Sequence, residues 1–231
     1  MTKTQFYMAR RGPTVSAEGF PQRWIEHFAL FKTFGGVQPE TTPFTSGRYL
    51  LVDHELSDGR VDTTPFDAVC IMTVEDVSLL GASRGNTEMI RAMKADEEVV
   101  FGGNIDPATC LGERRTLIEG KRRGHAVILL RQRRPELTPE AFTQAWLSHM
   151  ESLLDLPAVA GRPRLTAHTS VEQVRSAEYA YDGMTEIWLE TADDAKAVIA
   201  AVQGKPQVEA EAAFAVPTRS RTMATKVLPR S

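Results

Sequence analysis

Histidines are the residues of this 231-residue chain best suited to chemistry without a cofactor. Their unperturbed pKa lies near neutrality, so an imidazole can both accept and return a proton. Four of the five histidines align as two pairs, His27 with His149 and His54 with His168. We therefore take these four as candidate catalytic residues.

The first pair ends a shared pattern, F-x-x-x-W-x-x-H. Its spacing places His27 and His149 on the core-facing stripe of a helix, where each is either a hydrogen-bonded core histidine or an acid or base that lines a pocket. The second pair ends a strand. There His54 and His168 either border the mouth of a cavity or face solvent.

Glu186 is a further candidate because it lies in an otherwise apolar strand and shares a strand face with Trp188, two residues on. Such a glutamate either faces solvent or sits in a pocket with a raised pKa as general acid or base. Four residues are candidates for substrate binding, although each could equally serve packing or the surface. They are Tyr7, Tyr49 and Trp188 as aromatic walls or hydrogen-bond donors, and Arg48 as a clamp for a carboxylate.

These residues belong to a sequence that repeats itself. Residues 11–20 align without a gap on residues 133–142, an offset of 122 (142 − 20). Three further blocks align at other offsets, His54 with His168 (114), Phe66 with Tyr181 (115) and Arg115 with Arg221 (106). Connections tolerate such length changes better than helices and strands do.

Each copy has the element order βαββαβ, with Ser16 and Thr138 as predicted N-caps of the first helices. The sequence thus predicts an α+β fold of two tandem ferredoxin-like units with antiparallel sheets, over residues 1–120 and 125–231. The intervening basic segment, residues 120–124, is interpreted as a solvent-exposed linker. The two sheets can cover each other and enclose a small-molecule cavity.

Composition and residue spacing limit the kinds of molecule that the chain is expected to bind. A net charge of −3 argues against nucleic acid, and no apolar run approaches the length of a membrane span. The two cysteines lack zinc-site spacing, no histidine pair has metal-site spacing, and no glycine-rich segment fits a phosphate loop. We therefore expect a cytoplasmic protein with no metal and no cofactor, whose partner is a small molecule.

The second copy resembles an EthD-type domain of the dimeric α/β-barrel superfamily, through residues 137–149 and 181–188. The first copy keeps the helix pattern but has Ile71 and Thr73 where the second has Glu186 and Trp188. The resemblance implies a pocket used for cofactor-free decarboxylation, cyclisation, isomerisation or oxygenation of aromatic or polyketide-like molecules, and elsewhere for haem. It also leaves open a homodimer.

The leading hypothesis is a cofactor-independent lyase, a decarboxylase or cyclase that acts on an aromatic acid or polyketide-like molecule by histidine acid–base chemistry. A cofactor-free or haem-assisted monooxygenase is the first alternative, and a non-catalytic ligand-binding accessory protein is the second. The copies differ at Glu186 and Trp188, and also at Arg48–Tyr49, which align with Arg162–Pro163. One working site is therefore expected rather than two.

Overall fold

The computed structural model describes residues 3–34, 44–57, 66–77, 87–103, 109–162, 164–172 and 181–228. The strands in these ranges are β1 (Lys3–Ala9), β2 (Phe44–Asp53), β3 (Ala68–Val74), β4 (Thr109–Ile118), β5 (His125–Arg131), β6 (Arg164–Glu172), β7 (Gly183–Leu189) and β8 (Arg221–Val227). The helices are α1 (Phe20–Thr33), α2 (Thr87–Val100), α3 (Pro139–Ser152), α4 (Ala192–Val202) and α5 (Lys205–Ala212).

The strands close into one antiparallel barrel in the order β1-β3-β2-β8-β5-β7-β6-β4. Each repeat supplies four neighbouring strands, and the two sets join where β2 pairs with β8 and β4 pairs with β6. Closure leaves no free sheet edge, so the chain needs no second copy to complete the barrel. The α+β class and the dimeric α/β-barrel architecture are confirmed, while a homodimer stays a prediction.

The strand register corrects two of the repeat alignments. Val69 and Met184 are matched positions at an offset of 115, and they lie opposite Leu50 and His168 respectively. Leu50 is therefore the counterpart of His168, at an offset of 118 (168 − 50), and the alignment with His54 was wrong. The slip of four residues is even, so it keeps every side chain on its original face and the apolar pattern cannot detect it.

The same offset of 118 makes Thr166 the counterpart of Arg48, in place of Arg162 (166 − 48). The alignment of the last strands also changes. Phe6 and Ile128 are matched positions at the offset of 122 (128 − 6), and they lie opposite Cys110 and Met223 respectively. The offset there is 113 (223 − 110) and not 106. From the first strand to the last, the offset between matched residues of the two copies falls from 122 to 118, 115 and 113. The second copy therefore has a small deletion in each connection.

The apolar core has three parts. Alternate residues of the strands line the barrel interior, and this set includes Phe6, Leu50, Ile71, Ile128, Met184 and Trp188. A second cluster lies between the outside of the barrel and helices α3 to α5, around Trp146. A third surrounds Trp24 beneath α1 and α2. The repeated tryptophans therefore belong to the helix layers and the lining of the interior comes from the strands.

Two predicted N-caps differ in outcome. Thr138 caps α3 as expected, since its hydroxyl accepts a hydrogen bond from the backbone N–H of Ala141 at 3.2 Å. Ser16 does not cap α1, which begins at Phe20 with Gly19 at the N-cap. The Ser16 hydroxyl instead accepts from the Gly19 N–H at 3.0 Å, within the turn that precedes the helix.

The aromatic-Asp pattern that opens β3 and β7 has the same structural role in both repeats. The Asp67 carboxylate accepts a hydrogen bond from the backbone N–H of Arg11 at 2.8 Å. The Asp182 carboxylate accepts from the backbone N–H of Arg133 at 2.9 Å. Each aspartate thus ties the segment after the first strand of its repeat to the start of the third, which explains why duplication retained it.

Candidate active site

A polar group lies inside the apolar barrel, centred on the carboxylate of Glu186. Its Oε1 is 3.0 Å from Nε2 of His168, and its Oε2 accepts a hydrogen bond of 2.6 Å from the indole N–H of Trp188. Arg122 forms an ion pair with the same carboxylate. His168, Glu186 and Trp188 are all fully buried, so the barrel interior encloses an imidazole–carboxylate pair.

Strand register brings this group together. Glu186 on β7 lies opposite Thr166 on β6, and His168 is two residues further along β6. Because side chains alternate between the faces of a strand, all three project into the barrel interior and His168 reaches Glu186 diagonally. Trp188 shares the face of Glu186, as the two-residue spacing predicts. Neighbouring positions of two adjacent strands therefore build the pair.

The electrostatics leave the glutamate ionised and the histidine neutral. Burial alone would raise the pKa of Glu186, but the hydrogen bond from His168 and the charge of Arg122 outweigh it and lower that pKa to about 2. The raised pKa expected for a buried Glu186 was therefore wrong. Burial lowers the pKa of His168, and the charges of Arg122 and Arg114 lower it further, against the opposing effect of Glu186.

These charge states fix the tautomer of His168. An ionised carboxylate can only accept, so the neutral ring must donate its proton from Nε2 to Glu186. The lone pair then lies on Nδ1, which is buried and has no hydrogen-bond partner among the described residues. The arrangement presents an unused basic nitrogen inside the barrel, held in orientation by a carboxylate.

Close packing holds the imidazole in place. The ring of Phe6 meets the ring of His168 edge to face, with centroids 4.9 Å apart. Gly112 on β4 lies behind it, where a Cβ would approach Cβ of His168 to 3.0 Å and Cε of Met184 to 2.8 Å. Gly112 thus provides space that any larger residue would take from the histidine.

Arg122 comes from the segment between the repeats and corrects the interpretation of that segment as solvent-exposed. Its side chain is only 10% exposed, and besides Glu186 it donates a hydrogen bond of 3.3 Å to the hydroxyl of Thr73. The linker can turn inward because Gly124 adopts a φ of +74°, at a point where a Cβ would lie 2.6 Å from the carbonyl oxygen of Leu189.

Comparison with known proteins agrees with the architecture. Residues 134–217 match the family model of the EthD domain. The second repeat carries an EthD domain. This confirms the sequence resemblance and places His168 and Glu186 within the EthD domain, with Arg122 outside it. None of the curated protein sequences matches the chain significantly.

Several solved structures share the fold over almost the whole chain. An anthrone oxidase-like protein is 14% identical, with a TM-score of 0.58 over 99% of this chain and 91% of its own. A candidate monooxygenase from Fusobacterium nucleatum is 12% identical, with a TM-score of 0.53 over 99% and 92%. A mutant chlorite dismutase from Candidatus Nitrospira defluvii is 14% identical, with a TM-score of 0.52 over 99% and 92%. At these identities the likeness establishes the fold alone.

The structure places the two helix histidines in the helix layers, away from the barrel interior. Nδ1 of His27 is 2.8 Å from a carboxylate oxygen of Asp96 on α2. Nε2 of His149, in the EthD domain, is 3.4 Å from a carboxylate oxygen of Glu211 on α5. Both are buried, and burial lowers the pKa of His27 despite Asp96. Only His27 thus matches the alternative of a hydrogen-bonded core histidine. Nε2 of His149 and Nε2 of His27 are buried without a hydrogen-bond partner among the described residues.

The other predicted residues divide between the surface, the helix layer and the barrel. His54 is exposed and lies 3.2 Å from the Asp67 carboxylate. Tyr7 and Tyr49 face the α1 and α2 layer, where the Tyr7 hydroxyl donates to Glu97 at 3.3 Å and the Tyr49 ring packs 4.4 Å from that of Phe28.

Arg48 is partly buried on the barrel side of β2. Its Nε donates to the backbone carbonyl of Arg122 at 3.3 Å.

Sequence reasoning missed Arg114, Arg122, Arg164 and Thr166. Arg114 on β4 lies directly opposite His168, and Thr166 lies opposite Glu186. For two of them a signal was available, because Arg164, Thr166 and His168 follow one another at two-residue spacing and so share a strand face. Arg122 had no such signal, since its position depends on the path of the linker.

Haem, which the superfamily resemblance implies for some members, does not fit the barrel interior. The interior histidine already gives Nε2 to Glu186 and packs against Phe6. In the described ranges no group of three or more acidic, histidine or cysteine residues could hold a metal ion, and no helix there could cross a bilayer.

Proposed function

We propose that the chain is a cofactor-independent enzyme in which His168 removes a proton from an aromatic or polyketide-like molecule bound in the barrel. One observation carries the proposal. A neutral, fully buried imidazole gives Nε2 to an ionised glutamate and keeps Nδ1 without a partner among the described residues. A base paired with an orienting carboxylate in this way is a common arrangement in enzymes that transfer protons.

Each residue of the group has a distinct role in this step. Nδ1 of His168 takes the proton, and Glu186 holds the ring in the required tautomer and stabilises the imidazolium that forms. Arg122 and Trp188 keep the carboxylate ionised and oriented through their contacts with its two oxygens. Neither His27, His54 nor His149 contacts this group, so we assign them no part in the reaction.

Within the lyase class, this base favours ring closure over decarboxylation. In ring closure, the carbanion left by proton removal attacks a carbonyl carbon of the same molecule and forms a C–C bond. The imidazolium returns its proton to the new alkoxide and gives a hydroxyl group. Water is then lost from that hydroxyl and a second proton of the attacking carbon, and a C=C bond forms between the two carbons. Decarboxylation instead requires an acid that protonates the carbanion formed when carbon dioxide departs. Because the pKa of His168 is lowered, its ring is neutral at neutral pH, and Nδ1, the nitrogen assigned to the reaction, carries no proton to give.

Cofactor-free oxygenation is the second candidate, and it starts with the same proton removal. The carbanion transfers an electron pair to dioxygen to give a hydroperoxide, and loss of water converts the original CH₂ group to a carbonyl. The balance is one CH₂ and one O₂ consumed for one C=O and one H₂O formed. Neighbours of this fold include an anthrone oxidase-like protein and a candidate monooxygenase, which supports this outcome.

Hydrogen–deuterium exchange tests the step that both candidates share. With 1,8-dihydroxyanthrone in D₂O, we expect the protein to accelerate exchange of the acidic methylene protons, as followed by proton NMR. His168→Ala should slow this exchange by roughly 10²–10⁴-fold. His168→Gln serves as a second variant if the alanine variant folds poorly, and His54→Gln is the matched control with unchanged rate.

The pH profile adds an independent check. Since the pKa of His168 is lowered, the exchange rate should stay level from about pH 8 down to about pH 6.5 and fall only in more acidic solution. Oxygen consumption with formation of a carbonyl product would identify oxygenation. A folded His168 variant that exchanges protons as fast as the wild type, or a wild type that binds the anthrone without exchange, would overturn the proposal.

A further inference from the structure

Three arginines surround the His168–Glu186 pair near the end of the barrel that the linker crosses. Arg122 contacts Glu186 directly. Arg164 lies at the start of β6. Burial lowers its pKa most, and the nearby charges of Arg122 and Arg114 lower it further. Arg114 acts on His168 in the same way. Arg48 adds a fourth guanidinium beside the Arg122 backbone.

The charge of these arginines is only partly balanced. Glu186 is a single carboxylate, and it is already shared between Arg122, His168 and Trp188. Glu119, the acidic partner of Arg164, is 83% exposed and 3.5 Å away, so solvent screens it. The guanidinium of Arg114 makes no hydrogen bond or ion pair with the described residues. Counting Arg114, Arg122, Arg164 and Glu186, the group carries an excess of two positive charges.

Buried hydrogen-bonding atoms in the same group lack partners. The side chains of Arg122 and Arg164 are only 10% and 11% exposed. The Nε atom of each is buried and has no acceptor in the described part of the chain. The hydroxyl of Thr166, between Arg164 and His168 on β6, is fully buried and also unpaired there. Folded proteins rarely leave buried donors unpaired. Because Nε of Arg131 and Nε of Arg221 are also unpaired among the described residues, these atoms favour an anionic ligand here only together with the excess of positive charge.

We propose that Arg114, Arg164 and Thr166 bind a carboxylate of the substrate, which is therefore an aromatic or polyketide-like carboxylic acid. This assignment rests on the proposed function, whose substrate class it names. Guanidinium groups match the planar oxygens of a carboxylate, and Phe6 and Trp188 supply aromatic surface beside them. The carboxylate brings one negative charge toward this excess of positive charge, while the imidazolium of His168 balances the carbanion left by proton removal.

Binding of an unreactive probe tests the site without any turnover. We expect 2-naphthoate to bind and its uncharged analogue 2-naphthamide to bind at least about tenfold more weakly in isothermal titration calorimetry. Arg114→Gln and Arg164→Gln should each weaken naphthoate binding about tenfold or more. Arg114 is the safer variant for folding, because its side chain makes no hydrogen bond or ion pair with the described residues that its loss would break.

Arg115 offers a matched control on the same strand. It is the next residue of β4, its side chain is 55% exposed, and it pairs with Glu151 of α3 outside the barrel. Arg115→Gln should therefore leave the naphthoate affinity unchanged. As a structural readout, the NMR signal of the Trp188 indole N–H should shift with naphthoate in the wild type and in Arg115→Gln.

The outcomes separate this inference from the proposed function. Equal affinity for naphthoate and naphthamide, tighter binding of 2-naphthyl phosphate than of naphthoate, or full affinity in both Arg114→Gln and Arg164→Gln would overturn the carboxylate site. His168→Ala should bind naphthoate normally while it loses proton exchange. If naphthoate binding follows the arginines but proton exchange does not depend on His168, the carboxylate site stands and the proposed function fails.

Discussion

The two halves of the barrel interior are built on the same strands but carry opposite chemistry. At three positions matched by strand register, the first repeat has apolar or small residues and the second has the polar group, namely Leu50 against His168, Ile71 against Glu186 and Thr73 against Trp188. Thr166 and Arg164 of the second repeat likewise match Arg48 and Ser46 of the first. Outside the barrel, the tryptophans and the aspartate ties remain alike in both repeats.

This contrast indicates what duplication keeps and what it frees. The features that hold helices and loops on the barrel are retained because each repeat needs them to fold. The interior lining can diverge, since the two halves share one enclosed volume. Leu50 and Ile71 of the first repeat add apolar side chains to the same interior, and a low local dielectric strengthens the interaction between Glu186 and His168. We therefore propose that the second repeat supplies the base and its carboxylate, while the first repeat supplies apolar lining and Arg114.

The largest effect on stability should come from neutralising the buried carboxylate. Glu186→Gln leaves Arg122 as an uncompensated buried charge and weakens the contacts with His168 and Trp188. Breaking a buried ion pair on one side costs about 3–5 kcal/mol. We expect a loss of this size in the free energy of unfolding, measured by urea denaturation at neutral pH.

A second substitution shows whether Arg122 is the reason. Adding Arg122→Met removes the orphaned charge, so the double variant should recover part of the loss, with a coupling energy of about 0.5–3 kcal/mol. Ile71→Val at the matched position of the first repeat is the control and should cost about 0.5–1.5 kcal/mol. Additive effects of Glu186→Gln and Arg122→Met would contradict the ion pair as the organising contact.

Much of the fold follows from sequence because its signals are local or repeated. The F-x-x-x-W-x-x-H pattern identified α1 and α3, the N-cap at Thr138 follows from side-chain chemistry, and the two-residue spacing put Glu186 and Trp188 on one face. The EthD resemblance rested on the same segments that the family match covers. Local periodicity and rare residues in register were therefore sufficient for the architecture.

The polar site depended on information that is not local. A shift of four residues in the alignment of β2 paired His168 with the exposed His54, because even shifts preserve the alternation of a strand. The charge state of Glu186 depends on the hydrogen bond from His168 and on the charge of Arg122. Arg122 is 64 residues away in sequence and reaches Glu186 only through the path of the linker. Sequence spacing carries no record of such a contact.

A glycine at the base of β7 gives a sharper comparison between the repeats. Gly183 matches Ala68 at the offset of 115 (183 − 68), but in the second repeat a Cβ would lie 2.8 Å from the Trp146 ring and 3.0 Å from Phe142. These two rings are nearly parallel and buried, so they cannot yield cheaply. Gly183→Ala should cost about 1–3 kcal/mol.

The reverse change in the first repeat supplies the matched control. Ala68 already fits beneath Trp24 in the α1 and α2 layer, so Ala68→Gly should lose only about 0.5–1 kcal/mol through backbone freedom. Urea unfolding of both variants measures the difference. If Gly183→Ala were neutral, the second helix layer would be looser around Trp146 than these contacts indicate.

The smallest effect concerns how the first helix of each repeat begins. Thr138 accepts a hydrogen bond from the N–H of Ala141 and satisfies a donor that α3 cannot pair internally. Thr138→Ala should therefore lower the free energy of unfolding by about 1 kcal/mol. Ser16 caps no residue of α1 and serves only an exposed turn, so Ser16→Ala should change it by no more than about 0.5 kcal/mol. Equal losses in the two variants would mean that Ser16 and Thr138 act alike, as their aligned positions suggest, and that the two helices start in the same way.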